Sequence, residues 1–186
     1  MITREIVKLL SEQKLGFVAT VSPNGTPNLS PKGTIISLDK NTLAFADIRS
    51  PQTIRNLQGN PSVEINVVDP FTRRGYRFKG IAKIISDGKK FNKILSHYKS
   101  LGVTSSIKSI VIVKVKKVSE VTSPLYDLGF TEEELKTRWK KHYLSFSINF
   151  FVAYVHFPVL FLLQPVLSLC SVIFDSWMPQ LRWLHL

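Results

Sequence analysis

The chain has 186 residues, enough for one domain with a sizeable core, and its 25 Lys and Arg against 13 Asp and Glu give a net charge of +12. This excess indicates anionic partners: a phosphorylated small molecule, nucleic acid or an anionic membrane surface. The single cysteine, Cys170, excludes an intramolecular disulfide and a cysteine-rich metal site, and favours a reducing compartment.

The first 38 residues predict a helix followed by a β-hairpin. Apolar residues at helical spacing predict a helix over 3–13, with Thr3 as its N-cap. Residues 16–21 and 28–38 predict two strands, and the Asn24-Gly25 pair between them is a strong hairpin turn signal. Pro31 and Gly33 interrupt the second strand, which indicates an edge position or a bulge.

A strand over 42–46 leads into a helix whose start resembles an anion site. Ser50 is the predicted N-cap, Pro51 occupies the first helical position, and Gly59 ends the helix before Pro61. The helix start, with its free amides and positive dipole end, suits a phosphate group beside Arg49 and Arg55. On this stretch alone, a capped surface helix with two solvated arginines is the alternative.

The rest of the globular part predicts three more strands and two more helices. The strands cover 62–68, 76–85 and 106–118; one helix runs from an Asp87 cap to about residue 101, and a Thr131–Glu134 capping box precedes a helix over 135–143. Six hairpin-connected strands with short flanking helices make the chain mainly β (α+β). They favour a small closed barrel over an open sheet.

No catalytic constellation is visible in the side chains themselves. The four histidines are scattered without metal-ligand spacing, and we expect no metal site: His97, His142, His156 and His185. Nucleophile, P-loop and dinucleotide motifs are absent. If the protein is an enzyme, a bound cofactor is expected to carry the chemistry.

Four stretches together resemble a known family. NLSPKGTI (28–35), LAFADIRSPQTIRNLQGNP (43–61), VEINVVDPFTRRGYRFKGIA (63–82) and SPLYDLGFTEEEL (123–135) are similar in order and spacing to the pyridoxamine 5′-phosphate oxidase-like family of FMN-binding split-barrel proteins. The resemblance implies a six-stranded antiparallel split β-barrel and a homodimer with cofactor sites at the subunit interface. It implies FMN as cofactor, with deazaflavin or haem as alternatives that family members use.

The resemblance also assigns site residues one by one. The strand beside the flavin matches Ser30, Pro31, Lys32 and Gly33, and the loop beside the ring and ribityl chain matches Ala46, Asp47, Ile48 and Arg49. The phosphate-holding first turn matches Ser50, Gln52 and Thr53, and a region that the second subunit presents matches Arg74 and Arg77. True oxidases of the family carry a basic pair at the positions of Gln52 and Thr53. In this sequence Arg49 and Arg55 would have to supply that positive charge instead.

The resemblance implies an FMN-dependent oxidoreductase acting on a small molecule, with a non-catalytic flavin or haem carrier or sensor as the alternative. Nothing after Tyr143 resembles the family's pyridoxal-binding segment, and the adjacent Arg182 and Trp183 are not assigned that role. Vitamin B6 oxidation is therefore not expected. Nucleic-acid binding would rest on net charge alone, without a basic, aromatic-studded motif, and is not expected either.

The chain is predicted to divide into a flavin-binding domain, 1–142, and an apolar tail, 143–186. Residues 143–174 contain no Lys, Arg, Asp or Glu, a stretch long enough to cross a bilayer. Basic residues at 136–141 would leave the barrel cytoplasmic. Three interpretations of the tail stay open: a membrane anchor, an apolar extension packed on the barrel or across a dimer, and a gene-model artefact.

Overall fold

A computed structural model describes the backbone of residues 1–155 and the side chains of residues 1–145. The four helices are α1 (Arg4–Gln13), α2 (Pro51–Gly59), α3 (Gly88–Ser100) and α4 (Glu132–Val155). The strands are β1 (Gly16–Val21), β2 (Pro27–Lys32), β3 (Ile36–Asp39), β4 (Thr42–Asp47), β5 (Ser62–Val68), β6 (Gly75–Ile85) and β7 (Ser109–Val121). All their pairings are antiparallel.

The described sheet has seven strands rather than the predicted six. The order is β2-β1-β5-β6-β7-β4-β3, and the extra strand arises because the predicted strand over 28–38 is divided at Gly33 into β2 and β3. Pro31 does lie on an edge strand, as predicted, since β2 ends the sheet on one side.

The sheet is not closed, because β2 and β3 form its two ends, so the expected closed barrel is wrong while the antiparallel split barrel that the resemblance implies is confirmed. These strands are nevertheless consecutive in the chain, joined only by residues 33–35. A connection this short spans at most about 14 Å, so the sheet must curl until its two edges approach each other. The result is a barrel split along one seam, with Gly33 at the crossing.

Local capping signals predicted the N-cap residues correctly, but only two of the four make the expected side-chain capping bonds. The Thr3 hydroxyl accepts a hydrogen bond from the Ile6 amide at 3.3 Å, and Thr131 and Glu134 form the predicted capping box. Ser50 and Asp87 occupy N-cap positions, but neither side chain makes a capping hydrogen bond. Helix α4 extends well past the predicted residue 143, to Val155.

Two apolar clusters lie on opposite sides of β4, which is buried along its whole length. Leu43 and Phe45 face the main core inside the curled sheet, together with Val18, Ile65 and Phe78. Ala44 and Ala46 face a second cluster beneath α3, formed with Phe91, Ile94, Tyr98 and Ile110. Helix α3 presents the predicted apolar stripe there, so the end of β4 is held from both sides.

A first structural unit spans Met1–Lys140, and of a second, Lys141–Leu186, only the continuation of α4 is described. Most of the predicted apolar tail, including Arg182 and Trp183, lies outside the described residues. Within residues 1–155, no helix is both long and apolar enough to cross a membrane.

Candidate functional site

The start of α2 is shaped by a carboxylate rather than by its own N-cap side chain. Asp47, the last residue of β4, accepts a hydrogen bond from the Ser50 amide at 3.2 Å through Oδ1. Ser50 is buried, yet its hydroxyl makes no capping hydrogen bond. The hydroxyl and the first-turn amides of Gln52 and Thr53 thus remain available at a helix N-terminus, where an anion is stabilised.

Asp47 also anchors this turn to β7. Its Oδ2 accepts from the Ser109 hydroxyl at 3.3 Å, and its backbone carbonyl accepts from the Lys108 amide at 2.9 Å. Ser109 begins β7 and lies opposite Asp47 in the β4–β7 pair. Because three donors converge on one buried residue, the position of the α2 start is fixed by the sheet.

Lys32 approaches Asp47 from the other edge of the sheet. Lys32 lies opposite Gly16 at the end of β2, on the face that carries Ser30, and is only 6% exposed. Its Nζ donates to the Ser30 hydroxyl and, at 3.4 Å, to the Pro31 carbonyl. Burial lowers the pKa of the Lys32 ammonium from its usual value, and the Asp47 carboxylate opposes part of that shift. The hydrogen bond between Thr34 and the Ala46 amide, together with the one between Asp47 and the Ser50 amide, places Lys32, Asp47 and Ser50 in one neighbourhood.

A second connection between these segments was not predicted from the sequence. The Thr34 hydroxyl, in the link between β2 and β3, accepts the Ala46 amide at 3.0 Å, and the Thr34 carbonyl accepts the Tyr98 hydroxyl at 2.9 Å. Tyr98 is a member of the buried stripe of α3, and its sequence context signals only packing.

Asn56 fixes the other end of α2. It is fully buried; its Nδ2 donates to the Thr20 hydroxyl at 3.0 Å, and its Oδ1 accepts from Gln52 at 2.7 Å and Ser22 at 3.2 Å. Gln52 also accepts from Arg55 at 2.7 Å, so both ends of its amide are engaged. Gln52 and Arg55 thus stabilise the helix side by side, while Thr53 is buried at its start.

Some of the remaining predicted site residues lie next to Lys32, Asp47 or Ser50 in the sequence, and the others lie elsewhere on the molecule. Among the adjacent residues, Arg49 and Gly33 are exposed and Ala46 is buried. Ile48 is half-buried and packs against the second apolar cluster. Pro31 points away from Lys32, on the outward face of β2.

Arg74 and Arg77 are not brought to this neighbourhood within one chain. The Arg77 Nε pairs with Glu64 at 2.9 Å on the outward face of the sheet. The Arg74 guanidinium lies 4.4 Å over the Tyr126 ring and 3.7 Å from Glu132.

Two cavities occur elsewhere in the described fold. One, of about 180 Å³, lies between α1 and the β5–β6 loop and is lined by Glu5, Glu12, Asp69, Arg74 and Tyr76 among others. The other, of about 430 Å³, is an open groove on the outward face, with Ala19, Val21 and Ile81 on its floor and Lys79 and Lys116 at its rim. Neither is lined by Lys32, Asp47 or Ser50.

A sequence profile of the family described as pyridoxamine 5′-phosphate oxidase matches residues 2–121, which include every strand and the whole candidate site. The chain belongs to this family. Among curated proteins, an uncharacterized protein of Methanocaldococcus jannaschii is 28% identical over 124 residues, covering 66% of this chain and 82% of the relative.

Solved structures share the fold of this family member. HupZ of Group A Streptococcus is 32% identical, with a TM-score of 0.60, and the match covers 66% of this chain and 96% of HupZ. An FMN-binding protein of Syntrophomonas wolfei (18% identity, TM-score 0.54, 64% and 88% covered) shares the fold alone. The haem storage protein HutZ of Vibrio cholerae also shares the fold alone, with 17% identity and a TM-score of 0.52. That match covers 65% of this chain and 94% of HutZ. The fold therefore accommodates more than one cofactor, and family membership alone does not choose between them.

Proposed function

We propose that the protein is an FMN-dependent oxidoreductase that holds the FMN phosphate at the start of α2. The observation that carries the proposal is the turn from Asp47 to Ser50, to which the Thr34–Ala46 hydrogen bond joins the chain just after Lys32, and in which the buried Ser50 hydroxyl makes no capping hydrogen bond. When bound, FMN would supply hydride or electron transfer with a small molecule. The chain's own residues would bind and orient it.

The donor set suits a phosphate group. The Ser50 hydroxyl and the amides of Gln52 and Thr53 supply neutral donors, and Arg49, exposed just before the helix, supplies a mobile positive charge. Asp47 is an anion in the same place, but it already accepts from Ser50 and Ser109, and Lys32 lies near enough to offset its charge.

The crossing between β2 and β3 suits a flat ring system. Gly33 is exposed and has no side chain, so a planar group could approach the backbone there. In this proposal the isoalloxazine lies along Ser30–Gly33, as the family resemblance implies, and Lys32 lies near the ring or the phosphate. Deazaflavin would be accommodated by the same contacts.

Removing the Ser50 hydroxyl tests the phosphate assignment. We expect Ser50→Ala to raise the FMN dissociation constant about tenfold, because one hydrogen bond to a charged group is lost. Fluorescence titration of apoprotein with FMN measures this, and bound flavin adds an absorbance band near ~450 nm. Ser100→Ala is the control, since that exposed hydroxyl only donates to the His97 carbonyl of α3 at 2.8 Å. Equal FMN affinity in wild type and Ser50→Ala would remove Ser50 from the site.

The proposal includes a homodimer with the cofactor at the subunit interface. Phe17, Val21, Leu29 and Ile81 are exposed on the outward face of β1, β2 and β6. Arg77 lies on the same face, so a second copy could present it to the FMN bound by the first. Packing this face against a second copy would bury its apolar side chains.

Charging the outward face tests the dimer. We expect Leu29→Lys to weaken self-association at least about tenfold, because a buried ammonium at an interface lacks compensation. Analytical ultracentrifugation over a concentration series measures it. The matched control is Leu128→Lys: Leu128 is 73% exposed and Leu29 65%, but Leu128 lies in the turn before α4. A wild-type monomer, or equal association of both variants, would contradict the proposed interface.

A non-catalytic flavin or haem carrier is the second candidate, favoured by the structural likeness to a haem storage protein. NAD(P)H oxidation with FMN-loaded protein separates the two functions. A rate above that of free FMN supports the oxidoreductase. A rate equal to that of free FMN favours the carrier, and tight haem binding would identify haem as the group that is carried.

A cytoplasmic location is also part of the proposal, supported by the single cysteine and the basic residues before the apolar tail.

A further inference from the structure

Tyr98 carries a polar group into an otherwise apolar cluster. Tyr98 is 1% exposed and lies on the buried side of α3, where it packs in one cluster with Phe91, Ile94 and Ile110. A buried hydroxyl is costly unless it is hydrogen-bonded, and this one donates to a single acceptor, the Thr34 carbonyl, at 2.9 Å. Phenylalanine would fill the same space, so the hydroxyl's contribution is the contact with the β2–β3 link.

That link is also held by a second hydrogen bond. The Thr34 hydroxyl accepts the amide of Ala46, which immediately precedes Asp47. A Cβ added at Gly33 would lie 3.3 Å from the Lys14 carbonyl, so the backbone after Lys32 already passes close to the end of α1. Tyr98 and Ala46 thus both bond to Thr34, and Lys14 lies close to the neighbouring Gly33.

We infer that Tyr98 is a positioning residue of the cofactor site: from α3 it fixes the β2–β3 link, and with it the placement of Lys32 relative to Asp47 and Ser50. The inference rests on the proposed function, because it assigns Tyr98 an effect on FMN without contact to FMN. Freeing the link lets the end of β2 sample other positions, so FMN must then order it at a cost in affinity.

Tyr98→Phe tests the inference with two measurements. We expect the FMN dissociation constant to rise about fivefold, since a preorganising hydrogen bond is lost while the ring stays in place. We expect amide hydrogen exchange of Ala46 in the apoprotein to accelerate about tenfold, because the Thr34 hydroxyl that accepts it becomes mobile. Burial raises the pKa of the Tyr98 phenol, so it remains a donor throughout the neutral range.

Ile94→Val is the matched control, because Ile94 packs in the same cluster on the same helix without a polar contact. It should lower the melting temperature of the protein while leaving FMN affinity and Ala46 exchange unchanged. If Tyr98→Phe changes only the melting temperature, as Ile94→Val does, Tyr98 is structural and the inference is overturned. If the wild-type protein does not bind FMN, the proposed function is overturned, and the cofactor role of Tyr98 with it. The Ala46 exchange rates then still show whether the Tyr98 hydroxyl holds the β2–β3 link in place.

Discussion

Lys32→Met is expected to weaken FMN binding about 100-fold, equivalent to about 2.7 kcal/mol, the largest loss of affinity among single substitutions in the site. Two effects add. The phosphate and ring lose a buried cation, and a hydrogen bond to a charged group contributes about 1.5–3 kcal/mol. Asp47 also loses the nearby charge that offsets its own, so the carboxylate would repel the incoming phosphate.

The same substitution should not destabilise the fold. Burial lowers the pKa of Lys32, which means that the folded state disfavours the ammonium. Below this lowered pKa the penalty is fully present, and it disappears as pH rises through the folded pKa towards the unfolded value. At neutral pH the methionine variant therefore loses an unfavourable term together with the Lys32 hydrogen bonds to Ser30 and Pro31, so its melting temperature should stay close to that of wild type.

Titration with FMN and thermal melts of the apoprotein test both statements together. Lys8→Met is the control, because it removes the same charge from the surface of α1, where Lys8 pairs loosely with Glu12 at 3.8 Å. A control that loses affinity as strongly as Lys32→Met would show that net charge, not the buried site, attracts FMN. Unchanged affinity in Lys32→Met would exclude the lysine from the site.

Local sequence signals predicted the helices and strands better than they predicted which strands pair with each other. The capping box at Thr131 and Glu134 involves residues three apart, and it marks the start of α4 as the sequence predicts. The division of residues 28–38 into two strands depends instead on long-range pairing. One half, β2, pairs with β1 at one edge of the sheet, and the other half, β3, pairs with β4 at the opposite edge. Pro31 and Gly33 marked the interruption, but no local pattern shows that the chain changes edges there.

The candidate site follows the same rule. The family resemblance named Lys32, Asp47 and Ser50, but the bonds that hold their segments in place are long-range: Asp47 to Ser109 spans 62 residues and Tyr98 to Thr34 spans 64. Ser50 occupies the predicted N-cap position, but its hydroxyl does not make the predicted capping bond, and Asp47, three residues earlier, accepts from the Ser50 amide instead. The first-turn amide that a capping hydroxyl would have bonded therefore stays available to a phosphate.

Asn56→Leu is expected to lower the free energy of unfolding by about 3 kcal/mol and the melting temperature by roughly 10 °C. Leucine fits the volume, but three hydrogen bonds to the amide are lost, those with the Thr20 hydroxyl, the Ser22 hydroxyl and the Gln52 amide. The buried Thr20 hydroxyl keeps only its bond from Asn28, and at about 1 kcal/mol for each lost hydrogen bond the three together give the expected loss.

The position of Asn56 also links stability to the site. Its bond to Thr20 spans 36 residues and attaches α2 to β1, while its bond from Gln52 reaches the first turn, where the phosphate is proposed to bind. FMN affinity should therefore fall together with stability, unlike in Lys32→Met, where the two separate. Chemical denaturation and FMN titration measure the pair, with Gln58→Leu, exposed on the same helix, as the control expected to stay within about 0.5 kcal/mol of wild type. If Asn56→Leu melts as wild type does, the network does not hold α2, and the start of that helix must be positioned by Asp47 alone.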